Sequence, residues 1–269
     1  MSTTTSADGT TIDFERWGDG DDALILIGGA TQFRAMDPQT DRIAELVAEQ
    51  GFTGLVYDRR GRGGSGDTPP WSLDREVEDL AALIQEVGGR AALYSSSSGA
   101  AVALAAATAS VGVTALALYE PPFFAGQSQQ EELDALHRLL AADDRDGAMR
   151  YNMQHVIGLP AEVVEGMSHA PWWANSLTVA PTLVYDLQTV HDVNTDPDWR
   201  ARWAGVTVPT VVYSGDQTFP GLPEAADAVA AAIPQASRQV LPGQGHGPAP
   251  EAIAPVLVEF LRTVPTAAI

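Results

Sequence analysis

The apolar positions of this chain change their period several times. Ala23-Leu24-Ile25-Leu26-Ile27 is apolar without interruption, the pattern of a strand buried on both faces, and it stops at Gly28-Gly29-Ala30. Residues 54–57, 91–94 and 114–119 read as further strands. Between them, residues 41–50, 73–87 and 99–109 carry apolar side chains at helical spacing, with Gly51 where a helix C-cap would stand. Residues 12–17 predict an edge strand, closed by the polar turn Gly18-Asp19-Gly20-Asp21-Asp22.

The rhythm then breaks. Residues 123–200 predict helices only, with candidates at 131–142, 147–157, 161–167 and 172–177. Strands at 206–213 and 238–241 and helices at 224–233 and 250–264 restore it. Alternating strands and helices imply an α/β fold, a mostly parallel sheet with helices on both faces. Residues 1–122 and 201–269 would form one core domain. The all-helical stretch 123–200 would be a lid over the strand ends, where sites of such sheets lie.

Leu93-Tyr94-Ser95-Ser96-Ser97-Ser98-Gly99-Ala100 joins a predicted strand to a predicted helix through four serines. Strand, tight turn of small residues and helix is the layout that exposes a nucleophilic serine, usually as Gly-x-Ser-x-Gly. Small residues are needed two before and two after the nucleophile. Leu93 and Tyr94 therefore disfavour Ser95 and Ser96, whereas Ser97 is flanked by Ser95 and Gly99 and Ser98 by Ser96 and Ala100, and Ser97 better matches the distance from the strand end. The bland reading is a polar cap on the helix in which no serine reacts.

A serine hydroxyl needs a base. Of five histidines, His137, His155, His169 and His191 fall in the helical stretch. His246, in Pro242-Gly243-Gln244-Gly245-His246-Gly247, falls between the last strand and last helix, at the sheet edge of the serine turn. Gly61-Arg62-Gly63-Gly64-Ser65-Gly66 also fits Gly-x-Gly-x-x-Gly. However, Asp67-Thr68-Pro69-Pro70-Trp71 separates it from any helix, and the next strand ends in Tyr94-Ser95 rather than an acid, so no dinucleotide cofactor is expected.

With these features the chain resembles the α/β-hydrolase family over nearly its whole length. Leu26-Ile27-Gly28-Gly29-Ala30 resembles the family's oxyanion-hole loop, with Gly28-Gly29 in place of the common His-Gly. Residues 57–66, from Tyr57-Asp58-Arg59 to Gly66, resemble its Asp-x-Arg-Gly-x-Gly-x-Ser structural turn. The resemblance implies that the backbone N–H groups of Ala30 and Ser98 hold the oxyanion, with Gly29 close enough to compete.

In many members the acid follows the strand at 206–213, in a Gly-x-x-Asp turn. Here that turn is Ser214-Gly215-Asp216-Gln217-Thr218, with Thr218 at the expected place and Asp216 two residues early. Haloalkane dehalogenases and zearalenone lactone hydrolases resemble this chain in a second solution, an acid after the preceding strand. Glu120, in Leu118-Tyr119-Glu120-Pro121-Pro122, stands there and is placed ahead of Asp216. Neighbouring strands lie under about 5 Å apart, so a glutamate at that strand end reaches a histidine held near the serine turn. The serine-rich turn is more similar to the lactone hydrolases than to the dehalogenases.

Composition narrows the chemistry further. The chain has 269 residues, 45% hydrophobic, and a formal net charge of -20. That field disfavours nucleic acid and anionic membranes as partners. The absence of cysteine excludes disulfides, thiolate zinc sites and cysteine nucleophiles. No metal site or cofactor is expected. Met1-Ser2-Thr3-Thr4-Thr5-Ser6 carries no secretory signal, and no apolar stretch is long enough to span a bilayer, so a cytoplasmic location is expected.

Trp172, Trp173, Phe123 and Met153 are the candidate apolar wall of the substrate pocket. The expected activity is a serine hydrolase cleaving a moderately large, apolar, uncharged ester or lactone, with Ser97, His246 and Glu120 as catalytic residues. The alternatives are a ligand-binding protein that keeps the fold without the catalysis, and thioester or carbon–carbon cleavage on the same residues.

Overall fold

The structure, a computed structural model, describes residues 2–264. Among them eight strands form one sheet: β1 (Ser2–Thr5), β2 (Thr11–Trp17), β3 (Ala23–Ile27), β4 (Thr53–Tyr57), β5 (Ala91–Ser96), β6 (Val113–Tyr119), β7 (Thr210–Gly215) and β8 (Ala236–Leu241). Their order is β1-β2-β4-β3-β5-β6-β7-β8. The β1–β2 and β2–β4 pairs are antiparallel, and every other pair is parallel.

Helices α1 (Pro38–Ala48), α2 (Leu73–Glu86) and α3 (Gly99–Thr108) alternate with the first strands. Between β6 and β7 come α4 (Gln130–Ala141), α5 (Arg145–Tyr151), α6 (Ala161–Ser168), α7 (Trp173–Ser176), α8 (Leu183–Thr195) and α9 (Trp199–Trp203). The sheet then resumes around α10 (Leu222–Ala232) and α11 (Pro250–Thr263).

The unbroken apolar run of β3 is explained by two cores. Successive side chains point to opposite faces, so Ile25 and Ile27 pack with α2 and α3 while Leu24 and Leu26 pack with α1 and α11. Each such side chain contributes about 1.5–3 kcal/mol by leaving water, and a slip of one residue would exchange the two sets. A third apolar cluster, centred on Leu136, Met149, Val164 and Leu183, holds the helical segment together.

Three expectations change. Residues 12–17 are not an edge strand, because β1 pairs outside β2 from Ser2↔Phe14 to Thr5↔Thr11. The Ser-Thr sequence of β1 has β-propensity but no buried face, hence no alternation to detect. The helix expected over 147–157 is α5 followed by a π-helical turn, Asn152–Val156, where Ile157 N–H reaches Asn152 O. The third change is α8, which falls in the stretch expected to be helical but where no particular helix was expected. Asp186, Thr189 and Asn194 are among its buried residues, so polar groups interrupt its inward stripe.

The turn after β4 carries a buried charged unit. Asp58 accepts the N–H groups of Arg34 and Gly64, and a Cβ on Gly63 would fall 2.1 Å from its Oδ2. Gly63 and Gly64 thus close on the Asp58 carboxylate, well before α2 begins at Leu73. Arg60 beside it makes a two-pronged pair with Asp79 and a further bond to Asp8.

Candidate active site

At the carboxyl end of β5 the chain turns on Ser97, whose φ of 53° lies in the left-handed region that L-residues avoid. Its neighbours hold it there. Ser97 N–H donates to Tyr119 O at 2.9 Å, extending the β5–β6 ladder past the strand end, and Ser98, at the N-cap position of α3, donates its hydroxyl to Asp186. Ser97 is partly accessible, while Ser95 and Ser98 are buried. Gly99 lacks a side chain for a reason different from the one expected. A Cβ there would fall 2.9 Å from Gly28 O and 3.0 Å from Ile27 O, so the constraint comes from β3 more than from Ser95.

Glu120 repeats the arrangement one strand over. Its φ is 48°, and its N–H donates to Tyr213 O at 3.0 Å. Two strained residues at adjacent strand ends, each held by a sheet-like bond, mark a backbone shaped for side-chain placement.

The Glu120 side chain is fully buried and accepts three hydrogen bonds. Gly215 N–H donates to Oε1 at 2.8 Å, Thr218 Oγ1 donates to Oε2 at 2.8 Å, and His246 Nδ1 meets Oε2 at 2.6 Å. With Nδ1 carrying the proton toward Glu120, Nε2 keeps its lone pair and can serve as a base. The loop bearing His246 is fastened on several sides. Tyr119 Oη donates to Gly245 O at 2.5 Å, Gln217 N–H to Gln244 O at 2.9 Å, and Gly243 N–H to Asp216 Oδ1 at 2.7 Å. Asp216 is therefore exposed and engaged with the loop backbone, while Glu120 holds the imidazole.

A Cβ on Gly215 would fall 1.9 Å from Gln244 O, so β7 and this loop touch at a position that excludes any side chain. Gly215→Ala is expected to push the loop away and lower kcat/KM at least about tenfold, since small misplacements of reacting groups are costly. Steady-state kinetics of the folded variant, checked by circular dichroism, measures this.

On the facing side, Gly29 approaches the elbow so closely that a Cβ would lie 3.0 Å from both Ser96 O and Ser97 Cβ. The expected competition from Gly29 as oxyanion donor does not occur in this geometry, because its N–H is taken by Gln32 Oε1 at 2.5 Å. The N–H groups of Ala30 and Ser98 have no hydrogen-bond acceptor among the described residues.

The expected apolar wall is mostly placed elsewhere. Phe123 packs into the sheet core, 5.0 Å from the Trp203 ring, and Met153 and Trp173 belong to the helical segment's own core. Trp173 Nε1 also donates to Asp146. Trp172 is exposed. The aromatic that does stand beside His246 is Phe219, unnoticed in the sequence, exposed and edge-on at 5.8 Å between ring centroids. Only its position one residue after Thr218 hinted at it.

Three other histidines have local partners. His191 Nδ1 accepts from Gln129 N–H, His155 stacks on Tyr151, and His169 pairs with Glu165. Among the described residues no cluster of three or more metal-ligating side chains occurs, and no helix is long and apolar enough to cross a membrane.

Comparison with known proteins gives the same architecture a wider setting. A sequence profile described as "Alpha/beta hydrolase family" matches residues 24–256. A crystal structure of an alpha/beta hydrolase from Sphaerobacter thermophilus DSM 20745 is 42% identical, with TM-score 0.86 over 96% of this chain and 99% of that one. A thermophilic esterase from Thermogutta terrifontis is 24% identical, TM-score 0.73, over 97% of each chain. An enol-lactonase from Burkholderia xenovorans LB400 is 17% identical, TM-score 0.69, over 97% of this chain and 100% of that one. No curated protein matches the chain significantly.

Proposed function

We propose that this chain, which belongs to the alpha/beta hydrolase family, is a serine hydrolase that cleaves a carboxylic ester or lactone through an acyl-enzyme. The observation that carries the reading is the 2.6 Å contact between His246 Nδ1 and the buried Glu120 carboxylate, at the end of the strand next to the one that leads into the left-handed Ser97 elbow. Ser97 Oγ attacks the carbonyl carbon and gives its proton to His246 Nε2. The Ala30 and Ser98 N–H groups receive the oxyanion. Collapse of the tetrahedral adduct expels the alkoxide, which takes the proton from His246; in a lactone it stays tethered to the acyl group. Water then repeats the sequence at the acyl carbon, with His246 again as base and then acid. Glu120 keeps the tautomer and stabilises the imidazolium without itself taking a proton.

The substrate side of the site favours an uncharged, apolar molecule. Phe219 offers an aromatic edge beside His246, and the arginines near the elbow, Arg59 and Arg62, are committed to Glu76 and Asp186. The net charge of -20 adds no attraction for an anion. The named esterase and enol-lactonase share the fold, and fold analogy alone does not choose among ester, thioester and carbon–carbon cleavage.

A fluorophosphonate probe tests the reading directly. Covalent labelling at Ser97, located by peptide mass spectrometry, is the expected result. An unlabelled protein that still binds small apolar molecules would instead be a ligand-binding relative. Turnover of matched ester, lactone and thioester substrates then ranks the leaving groups.

A further inference from the structure

A buried charged cluster joins α8 to both sides of the elbow. Asp186 Oδ1 accepts from Ser98 Oγ at 2.8 Å and from Arg59 Nη1 at 2.7 Å, while its Oδ2 accepts from Arg62 Nη2. Arg59 is paired two-pronged with Glu76, at 2.8 and 2.6 Å. Two arginines and two carboxylates thus balance in charge inside the protein, all four side chains being at least nine-tenths buried. Burial by itself would raise the Asp186 carboxyl, but Arg59 and Arg62 hold it below the ordinary carboxylate range, so it stays ionised.

The far ends of the arginines reach the loop after β3. Arg62 Nη1 donates to Gly29 O at 2.7 Å, and Arg59 Nη1 lies 3.3 Å from Gly28 O. A trans peptide is planar, with its C=O and N–H pointing in opposite directions. Arg62, by holding the Gly29 carbonyl, therefore fixes the direction of the Ala30 N–H and resists a peptide flip that would put an oxygen where an oxyanion must go. On the other side, the Ser98 side chain is tied to the same Asp186, and Ser97 O accepts Ala100 N–H at 3.0 Å. The Ser97–Ser98 peptide, which carries the second free donor, is thereby held at both ends.

We propose that Asp186 is a positioning residue that sets both oxyanion donors at once, Ala30 N–H through Arg62 and Ser98 N–H through the Ser98 hydroxyl. This rests on the serine-hydrolase reading above. It makes α8 a fixed part of the catalytic frame and not a moving cover. Other contacts agree: Thr182, just before α8, accepts from Arg62 Nε at 3.1 Å, and Tyr185 stacks on Trp71 at 4.9 Å and donates to Asp67. The helix also packs at both ends, with Leu183 and Leu187 in the helical segment's cluster and Val193 in the sheet core. Opening of the site would then fall to α4 to α7.

The experiment compares Ser98→Ala, Asp186→Asn and the double variant. Ser98→Ala keeps the backbone N–H and removes only the hydroxyl tie, so it avoids leaving Arg59 and Arg62 with an uncompensated buried charge. The expected result is a fall in kcat of roughly tenfold or more, with KM within twofold. The second-order rate of fluorophosphonate labelling should fall in parallel, because that adduct uses the same donors. Thermal midpoint should be nearly unchanged for Ser98→Ala, and Ser98→Thr, which restores a hydroxyl, should recover part of the rate. If Asp186→Asn folds, the double variant should lose less than the product of the single losses. If Asp186→Asn does not fold, the Ser98→Ala and Ser98→Thr rates decide. Wild-type labelling at Ser97 with an unchanged Ser98→Ala rate would overturn the positioning role alone. No wild-type labelling and no turnover would overturn the hydrolase reading and this role with it.

Discussion

Ser97→Ala should abolish turnover of a chromogenic short-chain ester, by a factor on the order of 10⁴ to 10⁶, while thermal stability stays close to wild type. The size follows from the proposed mechanism: without the hydroxyl no acyl-enzyme would form, and only binding and the oxyanion donors would remain to assist water. Stability should hold because alanine meets the same left-handed backbone at φ 53°, with the Tyr119 and Ala100 bonds still in place. Ser96→Ala is the control, since Ser96 also is partly accessible but belongs to β5. It should keep most of the rate. Undiminished turnover in Ser97→Ala, measured on protein purified away from host esterases, would sink the assignment.

Glu120→Gln should lower kcat by about 10³ to 10⁴, against a few-fold for Asp216→Asn. The Glu120 carboxylate accepts from Gly215, Thr218 and His246, and glutamine has one oxygen for those three donors. Its NH₂ must face either the Gly215 N–H, leaving a buried donor unpaired at about 1–3 kcal/mol, or the imidazole. Facing the imidazole, it stabilises the tautomer with the proton on Nε2, which cannot accept one from Ser97. Asp216→Asn, in contrast, keeps an oxygen for Gly243 N–H and leaves His246 untouched. Initial rates for the two variants, each checked by circular dichroism, separate the roles. A larger loss from Asp216→Asn would assign the acid to the other loop.

The place expected for an acid from family spacing holds Thr218, and the structure gives that departure a physical meaning. Its hydroxyl donates to Glu120, so the residue at the usual acid position now supports a carboxylate on the neighbouring strand. Sequence reading reached Glu120 through strand adjacency and a family resemblance; it had no way to see that Asp216 faces the backbone of the His246 loop. The aromatic wall shows the limit of composition. Phe123, Met153 and Trp173 have the right chemistry for a pocket, but each is consumed by packing, while exposed Phe219 stands at the imidazole.

What the chain determined by itself is local. Uninterrupted apolar runs specify buried strands because both faces need covering, helical spacing specifies their crossovers, and small residues around Ser97 permit one sharp turn. These signals act over a few residues and survive in one dimension. What the tertiary structure alone decided depends on pairs far apart in sequence. Glu120 and His246 are 126 residues apart and Ser98 and Asp186 are 88, and each pair is brought together only by the assembled sheet and the docking of α8. The polar residues of α8 interrupt its helical pattern, and each is satisfied inside the protein: Asp186 by Ser98, Arg59 and Arg62, Thr189 by Tyr185 O, and Asn194 by Phe124 N–H and the Gln129 side chain. A sequence shows such a residue as an interruption, and the fold shows it as a partner.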